Sequence, residues 1–252
     1  MSKPTLLEIV QDILNDMDSD EVNSIDDTTE SQQVANIVKS CYNEMIAHRN
    51  WPHTRKLLQL SSSVDQDHPT YFRTPENVKE IVQIQYDNAR PNDPRVTMRD
   101  VKYLYPDEFL FLTNNKSQTN QNIQTVTDFS GIKLLIGTDQ PPRYWTSFDD
   151  DYIVMDSYQI EIEDTLMTSK SSALAYITPV WRHLDNSVPD LPIEAFPALI
   201  EEAKSTAFIT LKQVTNEKAE AKSQRQQRWL SRKAWRTHGG VRYDNYGRRS
   251  KK

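Results

Sequence analysis

The stretch Phe196-Pro-Ala-Leu-Ile-Glu-Glu-Ala-Lys-Ser-Thr-Ala-Phe-Ile-Thr-Leu-Lys-Gln-Val-Thr-Asn216 decides how the ends of this chain are read. Phe196, Leu199, Ile200, Ala203, Ala207, Leu211 and Val214 recur at steps of three and four, which lines them along one face of a helix. The spacing predicts one long helix that starts near Ile193 to Pro197 and runs to about Trp235. Beyond Asn216 the apolar stripe fails. Glu217 to Gln227 is charged or polar apart from Ala219 and Ala221, so this part is expected to project from the body.

Such a stripe needs apolar partners, and the other end of the chain has them. Leu6, Ile9, Val10, Ile13, Leu14 and Met17 share one face of a helix entered through Pro4 and Thr5. A polar linker, Asp18 to Thr29, leads to a second helix from about Glu30 to Arg49, with Val34, Ile37, Val38, Cys41, Tyr42, Met45 and Ile46 as its stripe. Asn50-Trp51-Pro52 stops it.

Between these ends the period changes. Lys56 to Leu60, Thr70 to Arg73, Val78 to Tyr86, Ile123 to Val126, Ile132 to Ile136, Arg143 to Phe148 and Tyr152 to Met155 are short, rich in β-branched and aromatic residues, and separated by turn residues. Tyr105 to Thr113 reads as an inserted helix. The expected fold is therefore α+β: a helical bundle (residues 1–53 and 179–238) built from an N-terminal pair and the long C-terminal helix. An antiparallel β-rich domain (54–178) is inserted in it, and an extended basic tail (239–252) follows.

Composition narrows the chemistry. The chain has 252 residues and only 5 glycines, three of them (Gly239, Gly240, Gly247) in the tail. Gly131 and Gly137 are too isolated to build a dinucleotide fingerprint or a P-loop, which crowds two or three glycines around phosphate. A single cysteine, Cys41, excludes internal disulfides and multi-cysteine zinc sites. No apolar run reaches the roughly 18 residues of a membrane span, and Met1 to Thr5 lacks a signal peptide's apolar core. No membrane partner is expected.

Asp149-Asp150-Asp151 beside Asp156 is the densest carboxylate group, but it sits where a hairpin needs its turn. His48, His53, His68, His183 and His238 show no metal-ligand spacing, and no Gly-x-Ser-x-Gly elbow occurs. The expectation is no enzyme, no metal and no cofactor.

The charge is split. The net charge is −6, yet Glu217 to Lys252 holds twelve Lys and Arg against three acids, a balance of +9. That leaves eighteen bases and thirty-three acids in residues 1–216, a balance of −15. In the basic end, Trp229 and Trp235 stand among Arg225, Arg228, Arg232, Lys233 and Arg236. Tyr243 and Tyr246 stand among Arg242, Arg248 and Arg249. Basic residues interleaved with aromatics fit a protein groove, where Trp, Tyr and Arg are the usual anchors, or a nucleic acid.

Three phrases resemble the head-to-tail adaptor proteins of short-tailed bacteriophages, the tail-tubular-protein-A-like connectors. They are Gln140-Pro-Pro-Arg-Tyr-Trp-Thr-Ser-Phe-Asp-Asp-Asp-Tyr-Ile-Val-Met-Asp-Ser-Tyr158, Asp190-Leu-Pro-Ile-Glu-Ala-Phe-Pro197 with the Lys/Gln/Glu/Arg-rich helix after it, and the helix pair ending in Arg49-Asn-Trp-Pro52. The resemblance implies a structural virion protein at the head-tail junction, made in the host cytoplasm. It would form a ring of twelve copies between the portal protein and the tail nozzle, with tail fibres as possible neighbours and genomic DNA passing through the lumen at ejection. It also implies docking on the portal through the C-terminal segment. The candidate residues are Trp229, Arg232, Trp235, Arg236, Arg242, Tyr243, Tyr246, Arg248 and Arg249. The other reading of the same tail is a nucleic-acid-binding accessory protein.

Overall fold

The structure is a computed structural model that describes residues 2–90, 95–117, 120–238 and 241–242, with backbone alone from residue 232 onward. The chain divides into two compact units, Met1–Thr54 with Thr178–Lys252, and Arg55–Ile177.

In the first unit, α1 (Leu6–Asp16) begins with a capping box: the Glu8 N–H donates to Thr5 Oγ1, and the Glu8 carboxylate accepts the Thr5 N–H at 2.8 Å. Thr28 caps α2 (Thr29–Ala47) in the same way through Ser31. Past its end, Trp51 Nε1 donates to the Met45 carbonyl at 3.0 Å. Leu6, Ile9, Val10 and Ile13 of α1 pack with Val34, Val38 and Tyr42 of α2 in one core. Leu199, Ala203 and Ala207 of α4 (Phe196–Lys212) complete it. Lys204 is nearly buried on α4 and reaches Asp12 and Asp16 of α1 at 2.9 and 2.6 Å.

The long C-terminal helix is two helices. α4 ends at Gln213, whose φ of 55° is left-handed, and α5 (Glu217–Arg236) starts after a short link and lies against α4. Residues 217–227 therefore do not project. Ala219 and Ser223 are buried on α5, and so is Leu230 further along. Ser223 Oγ donates to Glu202, Lys222 pairs with Glu201, and Gln227 Nε2 donates to Glu202 at 3.4 Å. The α4/α5 seam is small and polar, so hydropathy could not mark it.

In the second unit, eight strands form one sheet. They are β1 (Arg55–Leu58), β2 (Ser61–Ser62), β3 (Tyr71–Arg73), β4 (Val78–Asp87), β5 (Met98–Tyr103), β8 (Tyr144–Thr146), β9 (Tyr152–Met155) and β10 (Ser171–Ile177), in the order β1-β10-β4-β5-β8-β9-β3-β2. β6 (Ile123–Thr127) and β7 (Lys133–Gly137) form a separate hairpin. The first and last strands of the order are consecutive in the chain, with only Gln59 and Leu60 between them. The sheet therefore curls until its two ends meet on one stretch of backbone, which removes most of its open edge. Inside lie Leu60, Phe72, Ile84, Tyr86, Val101, Trp145, Ile153 and Ala173.

These observations correct the expected frame. The chain is α+β, but a large curled sheet of eight strands dominates it beside five α-helices among the described residues. It is not a helical bundle with an inserted β domain. Nor is the sheet purely antiparallel: β5 and β8 run parallel, Lys102 opposite Tyr144 and Tyr103 opposite Trp145. A parallel pair needs a long crossover, and α3 (Pro106–Asn114) with the β6/β7 hairpin supplies it, Phe109 being fully buried. The strands not foreseen, β2, β5 and β10, explain the underestimate. β10 reads Ser-Ser-Ala-Leu-Ala-Tyr-Ile, and Ala173 and Ala175 are small because they face the interior of a tightly curled sheet.

Candidate interaction surface

The carboxylates of the 149–156 region serve the backbone. Asp149 Oδ1 accepts the N–H groups of Asp151 and Tyr152, both at 3.1 Å, which builds the β8/β9 turn. Asp150 at φ 62° occupies its left-handed position. Asp156 is turned inward, 3% exposed, and accepts the N–H groups of Arg143 and Tyr144 at 2.9 Å each. Among the described residues no group of three His, Cys, Asp or Glu side chains could hold a metal ion.

Cys41, His68 and Tyr86 are held in structural contacts. Cys41 is buried, and burial pushes its thiol up to about 11 despite the Thr206 hydroxyl 3.9 Å away. His68 lies between the Asp65 carboxylate (Nδ1, 2.8 Å) and the Thr127 carbonyl (Nε2, 2.9 Å), stacked on Phe129 at 4.2 Å. Tyr86 donates to Glu163 at 2.7 Å and accepts the Met167 N–H at 3.0 Å, while Lys170 pairs with the same carboxylate. Burial first and the Glu163 bond second raise the Tyr86 phenol well above its ordinary value.

Two features are candidate interaction surfaces. The first is the basic aromatic end. α5 holds Trp229, Arg232, Trp235 and Arg236 along its last two turns, and Trp229 is 47% exposed. The neighbouring Ser231 is bound from just past the end of α2, since Arg49 donates to its Oγ at 2.7 Å. β11 (Thr237–His238) and β12 (Val241–Arg242) form a short antiparallel hairpin that includes Arg242. Tyr243, Tyr246, Arg248 and Arg249 lie outside the described residues. Trp229 thus stands beside Leu230, which is buried in the core of this unit.

The second feature escaped sequence reading. β4 pairs with β5 only over Ile84–Asp87, and beyond Val101 strand β5 turns to β8. The wall of the curled sheet opens there into a groove of about 780 Å³ lined by Ile81, Val82, Val101, Tyr103, Trp145 and Ile153. Tyr103 packs edge-on against Trp145 at 4.8 Å and against Tyr105 at 5.5 Å. Tyr105 is 65% exposed, and Tyr103 and Val82 are each close to half exposed. Exposed apolar side chains beside a groove of mixed polar and apolar lining make this the second candidate interaction surface. The signal depends on which strands diverge, and no local pattern carries that.

Among the described residues no helix is long and apolar enough to cross a membrane. The chain matches no protein-family model, and no curated protein matches it.

Proposed function

We propose that the chain is a structural, non-catalytic virion protein, a head-to-tail adaptor. It forms a ring, of twelve copies by the family resemblance, between the portal and the tail nozzle, and it lets DNA pass at ejection. It docks on the portal through its C-terminal segment. The observation that carries this reading is the concentration of +9 charge and four large aromatics after Glu217 on a chain that is otherwise −15. The position of Trp229, about half exposed near the end of α5, supports it, because tryptophan among arginines is a common anchor of protein interfaces. Ring geometry adds avidity, so weak single contacts suffice.

Purified portal particles mixed with the full chain should show an added ring by negative-stain microscopy. Deletion of Gly239–Lys252 should abolish that ring while circular dichroism of the variant stays unchanged. Unaltered ring formation would sink the portal assignment. Binding of the protein to duplex DNA with a salt slope reporting several phosphates would instead favour the nucleic-acid accessory reading.

A further inference from the structure

We infer that the groove beside β4 is a strand-addition site whose occupant is residues 239–252 of a second copy of this chain. Two observations carry it. Over Ile81–Gln83 the flank of β4 facing away from β10 has no strand paired to it among the described residues. Val82 is the extra residue of a bulge there, since Leu174 is opposite Gln83 while Ala175 is opposite Ile81. An open strand flank beside a groove is how a sheet takes in an extended peptide, main chain giving affinity and alternate side chains specificity.

Charge and length then select the occupant. Residues 55–177 carry twelve Lys and Arg against eighteen Asp and Glu, a balance of −6. The groove's own charged lining, Lys79 and Lys102 against Glu80, Asp100 and Asp150, is net −1. Residues 239–252 carry five bases and one acid, a balance of +4, and include Val241, Tyr243 and Tyr246. Val241–Arg242 is already extended as β12. Fourteen residues reach about 46 Å when extended, and the open flank of β4 needs about 10 Å. The inference narrows the adaptor reading: it gives Arg242, Tyr243, Tyr246, Arg248 and Arg249 to the neighbouring copy and leaves Trp229, Arg232, Trp235 and Arg236 of α5 to the portal.

The test uses the full chain with a photo-crosslinking benzoylphenylalanine at Tyr246, mixing ¹⁴N and ¹⁵N copies and mapping products by mass spectrometry. Crosslinks between copies, to peptides containing Ile81–Gln83 or Lys102–Tyr103, are expected. Val82→Arg should lower their yield about tenfold, and Val82→Thr should retain it, with melting unchanged in both because Val82 is exposed. Crosslinks confined to one copy, crosslinks to other surfaces, or a yield indifferent to Val82→Arg would each overturn the assignment. Portal binding is scored separately, so failure here leaves the adaptor reading standing.

Discussion

Ser171 Oγ accepts the backbone N–H of Leu60 at 2.9 Å, and its hydrogen can go to the Leu60 carbonyl at 3.3 Å or the Thr168 carbonyl at 2.7 Å. Both residues are almost fully buried. They meet where β1 leaves β10 and β2 begins, so one hydroxyl closes the bend that lets a single backbone stretch serve both ends of the sheet. Ser171→Ala leaves the Leu60 N–H buried without an acceptor. It is expected to lower stability by about 1–3 kcal/mol. The shift of the urea midpoint measures this, and a loss within error would show that the bend does not depend on Ser171.

Ser223 tests the α4/α5 seam. Its side chain is fully buried and donates to Glu202, so Ser223→Trp inserts bulk where the helices touch. Overpacking of this kind destabilises by about 1–3 kcal/mol. Hydrogen exchange should show faster amides along α5 while β4 and β10 keep their protection. Unchanged exchange along α5 would mean that the helix is not held by this contact.

That seam also shows where the sequence stopped being readable. The stripes of α1, α2 and α4 were legible because Leu, Ile and Val repeat at helical spacing. α5 docks through Ala219 and Ser223 plus Glu202 to Gln227 hydrogen bonds, which no hydropathy pattern distinguishes from solvent. The break at Gln213 was hidden as well, since a left-handed residue was filled by Gln and not by Gly. In the sheet, β3, β4 and β9 were visible from aromatic and β-branched runs. β10 was lost in its small residues, and the parallel β5/β8 pairing is non-local. The basic aromatic end was legible from composition. The groove was not, because it arises from strands that diverge.

Cys41 gives the chain an alkaline sensitivity. Burial holds the folded thiol up to about 11, above its ordinary 9.0, so the unfolded thiol ionises first. Its stabilising share is complete below about pH 9 and is lost as pH rises through about 11, a loss on the order of 2 kcal/mol. Denaturant midpoints from pH 8 to 11 should fall more steeply for the parent than for Cys41→Ala. Parallel curves would contradict the burial argument.

Asp150 separates a turn from a cation site. Its φ of 62° suits glycine, so Asp150→Gly is expected to raise stability by about 0.5–1 kcal/mol. Millimolar Mg²⁺ should leave the melting temperature of the parent unchanged. A Mg²⁺-dependent rise that disappears in Asp149→Ala would mean that these carboxylates bind metal.

The most direct measurement is electron cryomicroscopy of purified virions with this chain tagged or identified by side-chain density. The adaptor reading requires a closed ring of this chain between the portal and the tail nozzle, with Trp229 and the end of α5 against the portal. A virion without such a ring, or a ring whose C-terminal segments point away from the portal, contradicts it.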